Sequence, residues 1–152
     1  MVELNYIYAK ILQLKWRGVM NQEAKLKHLE FIQNTITRMA NNSFLLKGWC
    51  ITVVGAIIGL NKDGVDWKVT LLAMMLTVMF WVLDGYFLSQ ERYFRGRYDE
   101  VRQKNPEEID FKMQLDGSPT TDMDWIVSMT SVTLRWYYIT ILVALFVLSF
   151  LM

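Results

Sequence analysis

Asp84 is the residue that chemistry singles out first. It is a carboxylate set in an apolar run, Val69 to Leu88, that carries no other charge. In hydrocarbon such a group costs about 2.5–3.5 kcal/mol on insertion scales, so it needs a partner. If two helices are joined by the short loop around residue 64, one follows from a count of rise. At about 1.5 Å per residue, Asp84 stands about 24 Å from Lys68 and Lys47 stands about 20 Å from Leu60, so the two share a depth. Arg135 opens a third apolar block at the same boundary, and a Lys47–Asp84–Arg135 cluster is expected. It reads either as an anchor, with Lys47 and Arg135 reaching to headgroups, or as part of an ion pathway or gate.

A second candidate is Glu91-Arg92-Tyr-Phe-Arg95-Gly-Arg97-Tyr98, which mixes base and aromatics. Arg92, Arg95 and Arg97 suit anionic lipid, a nucleotide ligand or a protein partner; a plain solvated helix face is the alternative. Cys50 is the single cysteine, which excludes an internal disulfide and any multi-cysteine metal site. It reads as a small hydrophobe. His28, the single histidine, has no ligand spacing around it and reads as a surface or packing residue. Met74, Met75 and Met79 read as packing filler. No Walker loop, nucleophile elbow, HExxH or pair of catalytic carboxylates occurs, so no catalytic residue, cofactor or metal is expected and the chain is read as a non-enzyme.

The elements that must position these residues are set by where the apolar residues gather. Of 152 residues 53% are hydrophobic and 20% charged, and 16 Lys+Arg against 15 Asp+Glu exclude the basic footprint of a duplex nucleic-acid binder. The apolar surplus lies in Phe44–Leu60, Val69–Leu88 and Trp136–Met152. Seventeen to twenty helical residues span about 25–30 Å, enough to cross a hydrocarbon core. The expected fold is an all-α membrane protein of one domain, a bundle of three spans with a cytoplasmic helical stalk. Its parts are cytoplasmic helices 1–43, a first span 44–60, an outer loop 61–68, a second span 69–88, a stalk and short helix 89–124, and a third span 125–152.

Lys10, Lys15, Arg17, Lys25, Lys27, Arg38 and Lys47 precede or open the first span, and Arg92, Arg95, Arg97, Arg102 and Lys104 follow the second. Between the two spans, Asn61–Trp67 holds Lys62 alone. The positive-inside rule then places the N-terminus and residues 89–124 in the cytoplasm and the C-terminus outside. The first twenty residues lack the pattern of a secretory signal.

Leu4, Ile7, Ile11 and Leu14 stripe a helix over 3–17, suited to a membrane surface or to packing on other cytoplasmic helices. Leu29, Ile32, Ile36 and Met39 repeat at threes and fours, a helix seam that runs to Asn41-Asn-Ser43, where the helix either breaks or enters the first span. Phe87, Phe94, Tyr98 and Val101 extend the second span to about Gln103, about 20 Å beyond a bilayer, as a stalk for that seam to pack on. Asn105-Pro-Glu-Glu108 starts a short helix to about Leu115. A further helix starts near Asp122 and leads into the third span. Residues 105–124 make an acidic patch beside the basic stalk, able to attract it within or between subunits.

Gly55-Ala-Ile-Ile-Gly59 is a GxxxG motif, and Gly48 and Thr52 extend its small-residue face. Such a face lets backbones meet in lipid, between subunits or within the hairpin. Trp49, Trp67, Trp136, Tyr137 and Tyr138 are placed as interfacial aromatics.

The strings His28-Leu-Glu-Phe-Ile-Gln33, Arg38-Met-Ala-Asn-Asn-Ser-Phe-Leu-Leu-Lys-Gly-Trp49, Phe80-Trp-Val-Leu-Asp-Gly-Tyr-Phe-Leu-Ser-Gln-Glu-Arg-Tyr-Phe-Arg95 and Asp110-Phe-Lys-Met113 resemble a set of small bacterial membrane proteins. The layout of helix, two close spans and cytoplasmic helices is also similar to the SLATT-type effectors of bacterial conflict systems and to small octameric membrane proteins. The resemblance implies a bacterial inner-membrane location and brings no known active site with it. It further implies a homo-oligomeric effector that forms or opens a membrane lesion, with a cytoplasmic protein or nucleotide signal as its partner. The third span is an addition to the two-span plan. The rival expectation is a scaffold that recruits a soluble partner through its cytoplasmic helices.

Overall fold

The computed structural model describes residues 2–60 and 66–151. The described chain is helical, and three of its helices are long and apolar enough to cross a membrane. Helix α1 runs Val2–Leu60 without interruption, 59 residues and about 90 Å of rise. It has no proline, and it passes straight through Asn41-Asn42-Ser43. A serine starts a new helix when its hydroxyl oxygen accepts from a backbone N–H two or three residues on. The Ser43 hydroxyl instead donates across to Asp84, so the boundary expected between residues 1–43 and 44–60 is not a break in structure.

Helix α2 runs Trp67–Gln103, 37 residues. Trp67 and Lys68, expected in the outer loop, form its first turn; residues 61–65 of that loop lie outside the described residues. α2 stops ahead of Asn105-Pro106, where the ring disfavours helical geometry before it. Lys25 of α1 caps its end, donating to the carbonyls of Arg102 at 2.9 Å and Lys104 at 2.6 Å.

Between the long helices the expected short helix to Leu115 does not form. Pro106–Glu108 is a single 3-10 turn, and the chain then runs irregularly, with Phe111 at φ 56°. The reason is Arg97, which draws the Asp110 carboxylate and the Lys112 carbonyl onto α2 from either side of Phe111. The third apolar helix also differs. A 3-10 turn at Thr121–Met123 leads into α3, Trp125–Met129, capped by Asp124, whose side chain accepts from the Ile126 N–H. The chain bends at Thr130 and restarts as α4, Val132–Leu151. α3 is pinned to α2 by Trp125 Nε1 donating to the Val82 carbonyl and Trp81 Nε1 to the Met129 carbonyl, so the chain must turn before it can run up the bundle.

The bundle has two cores. Cys50, Val54, Ala73, Leu134, Tyr138 and Leu145 join α1, α2 and α4 in the apolar region. Ile32, Ile36 and Val101 join the stalk to the seam of α1, with Leu29, Phe94 and Tyr98 around them. Residues 3–20 of α1 touch neither core and are exposed throughout.

Candidate functional site

Asp84 is 0% exposed and sits where α1, α2 and α4 meet. Lys47 Nζ lies 2.6 Å from Oδ2. Ser43, one turn before Lys47 on α1, donates its hydroxyl to Oδ1, and Tyr138 of α4 donates to Oδ2 at 3.0 Å. Lys47 also donates to the Ser43 hydroxyl at 2.8 Å, and the Tyr137 hydroxyl donates to the Lys47 carbonyl at 2.7 Å. A carboxylate offers about four acceptor sites, and three donors fill most of them. The arrangement is charge-neutral and closed: it ties three helices at one point and leaves little capacity for a passing ion.

Arg135 does not join it. The side chain is exposed and has no ion pair among the described residues. The inward stripe of α4 is Leu134, Tyr138 and Leu145, and Arg135 lies about 100° round the helix from Leu134. Depth along the axis matched; azimuth did not. Ser43 and Tyr138, which take Arg135's place, are polar groups of a kind common at helix ends and membrane surfaces. The only sequence signal for them was that Ser43 and Lys47 sit four apart and share a helix face. Tyr138 is buried and stacked on Trp81 at 5.9 Å, and Tyr137 is half-buried against the same core. Trp49, Trp67 and Trp136 do face outward.

Comparison with protein-family models, curated proteins and solved structures finds no match to this chain. What the site can do therefore rests on its own geometry.

The arginines of the stalk are engaged internally. Arg97 is fully buried: Nε donates to the Lys112 carbonyl at 2.9 Å, and its terminal nitrogens reach Glu100 at 3.0 Å, Asp110 at 2.7 Å and Asp116 at 3.5 Å. Burial works against this charge, but the hydrogen bond and charge of Glu100, with those of Asp110, outweigh it and raise the pKa. Lys104 pairs with Asp116, and their hydrogen bond raises the lysine and holds the carboxyl down to about 2. Arg92 donates to the Asp122 carbonyl at 2.9 Å, and Arg95 grips Glu91 at 2.6 Å one turn back. The basic stalk and acidic segment thus attract each other within one chain. Of the three arginines only Arg95 is exposed, and it is paired.

His28 is buried edge-on against Phe111, ring centroids 5.5 Å apart. Burial, with the nearby Arg97 charge, lowers its pKa. Met74 packs on the core that contains Cys50 and Tyr138, while Met75 and Met79 are exposed and fill nothing inside the chain. The glycines divide sharply. A Cβ on Gly85 would strike the Met129 side chain and lie 3.1 Å from its Cα, and one on Gly96 would strike the Met123 methyl. Around Gly48, Gly55 and Gly59 there is nothing within 4 Å. The GxxxG face, with exposed Thr52 beside it, is not packed within the chain: Gly48 and Gly59 are exposed, and Gly55 lines an open groove between α1 and α4 with Ile141, Ala144 and Leu148.

Proposed function

We propose that this chain is a bacterial inner-membrane protein, N-terminus and residues 89–124 cytoplasmic, that acts as a homo-oligomeric effector opening a pore or lesion in defence against phage. The observation that carries the reading is the outward direction of the Gly48, Thr52, Gly55 and Gly59 face. In lipid, packing of small surfaces drives association, because acyl chains solvate large side chains as well as a neighbouring helix does. A small-residue face unused inside the chain is therefore a surface for another helix. The most apolar windows of the three long helices are only 17%, 22% and 17% buried, so one copy leaves most of each span for lipid or neighbours. Three spans enclose no channel, and conduction requires assembly. The defence setting and a cytoplasmic protein or nucleotide trigger rest on the likeness of the layout, a helix, two close spans and cytoplasmic helices, to SLATT-type effectors. The scaffold reading draws on acidic and basic faces, of which Asp110 and Asp116 are already paired with Arg97 and Lys104 within the chain.

The test is reconstitution into sealed vesicles of phosphatidylethanolamine and phosphatidylglycerol loaded with a self-quenched dye. The native chain should form a defined multimer and release the dye, and Gly55→Leu should lower both. A monomer in several detergents and in lipid discs would end the oligomer reading, and a multimer that leaves vesicles sealed would end the reading of a lesion that opens without its trigger.

A further inference from the structure

The seam by which α1 packs on the stalk does not stop where the stalk stops. From Ile32 toward the N-terminus it continues at alternating fours and threes through His28, Lys25, Asn21, Gly18, Leu14, Ile11, Ile7 and Leu4. A pattern of this period keeps one face aligned along a helix. α2 covers that face as far as Lys25, which caps its last carbonyls, and the Asn105–Glu108 turn lines a groove with Gly18 and Asn21. Beyond Gly18 the same face presents Leu14, Ile11, Ile7 and Leu4, with Tyr8 and Leu12 widening it, and all six are exposed.

We propose that this arm, residues 4–18 of α1, is a docking surface for the same arm of other copies of this chain, which zip together as parallel, in-register helices. The inference rests on the membrane reading above. If α1 crosses the bilayer with Lys47 near its inner boundary, an unbroken helix holds Trp16 about 46 Å and Ile7 about 60 Å from that level. The arm then cannot lie on the membrane its own helix crosses. Copies inserted in one membrane share one orientation, so they present identical arms at identical height, at an effective concentration set by their common anchor. The apolar arc is wider than a two-stranded seam needs, which suits an arm touching a neighbour on each side. Charge separates this occupant from a lipid surface. Lys10, Lys15 and Arg17 face only Glu3, so arms repel each other and salt strengthens their association, whereas salt weakens binding of a basic helix to anionic lipid.

The test uses the full chain in lipid discs and vesicles, with Ile11→Cys on the apolar face and Gln13→Cys on the opposite one. The buried Cys50 stays in place, and the chain without an added cysteine is the blank. A disulfide needs Cα atoms within about 7 Å, and the far side of a helix lies about 10 Å further off. Residue 11 should cross-link between chains and residue 13 should not. The product at residue 11 should increase with salt and be lost when Ile7→Asn and Leu14→Asn are added. A multimer with no cross-link at residue 11, or equal cross-linking at both positions, overturns the arm interface and leaves the lesion reading standing on contacts elsewhere. A fluorophore on residue 11 quenched from lipid, less so in high salt, overturns it in favour of the bilayer and requires α1 to break. Arms that cross-link as expected in vesicles that stay sealed uphold the interface and defeat the reading of a lesion that opens without its trigger.

Discussion

Removing one charge of the Lys47–Asp84 pair should cost more than removing both, and the two single losses should be unequal. Breaking a buried pair costs about 3–5 kcal/mol because it strands the survivor, whereas replacing both partners by apolar groups is often near neutral. Here the survivors differ. Asp84→Asn strands Lys47, whose side chain is 21% exposed and long enough to reach water, which puts the loss near the lower end, about 3 kcal/mol. Lys47→Met strands Asp84, which is 0% exposed and keeps only the Ser43 and Tyr138 hydroxyls, which puts it near the upper end, about 5 kcal/mol. The double variant should cost less than either single loss, so the coupling, its shortfall from the additive sum, should exceed about 5 kcal/mol. The protein carries its own reporter. Cys50 is its single cysteine, buried beside the cluster, so the rate at which a thiol-reactive dye labels it during denaturant titration in mild detergent follows opening of the bundle. Additive losses would show that Lys47 and Asp84 do not act as a pair. A Lys47→Met loss smaller than that of Asp84→Asn would refute the reasoning from exposure.

Arg97→Met should loosen the stalk, because Asp110 and the Lys112 carbonyl lose the buried donor that holds them to α2, and Lys104 alone remains to Glu100 and Asp116. Hydrogen exchange should rise over residues 109–116 while Cys50 stays protected; unchanged exchange would refute the clamp. Asp116, held at about 2 against an ordinary 3.8, and Asp110, also lowered, bind protons more weakly folded than unfolded. Their contribution is complete above the ordinary value and is lost as pH falls from 3.8 toward 2, so limited pepsin cleavage near Phe111 should accelerate across that window. Gly85→Ala should destabilise the isolated chain by about 1–3 kcal/mol through its collision with Met129. Gly55→Leu should leave Cys50 labelling unchanged and alter only the multimer, and equal effects would contradict the division of the glycines. Reporter fusions at residue 64 and at the C-terminus should both read periplasmic; a cytoplasmic C-terminus would rule out the third crossing.

Three apolar helices, the reach of α2 to Gln103 and the packing of the stalk on Ile32 and Ile36 are local properties. Periodicity and uninterrupted apolar length specify them, and each is legible in a window of a few turns. The depth match of Lys47 with Asp84 is legible for the same reason, since rise per residue is constant along a helix. Azimuth about the axis is not, because it depends on which neighbours a helix meets. That is why Arg135 and Tyr138, three residues apart, could not be told apart as partners of Asp84, and why the GxxxG face could not be assigned inward or outward. The continuity of α1 through Asn41-Asn42-Ser43 and the loss of the helix after Pro106 share one cause. In both places a side chain that would have served the local backbone, or a backbone group that would have joined a helix, is taken by a partner far along the chain: Ser43 by Asp84, the Lys112 carbonyl by Arg97. Composition and period determine which segments become helices. Only the meeting of those helices decides which polar groups remain to cap, to pair or to face outward.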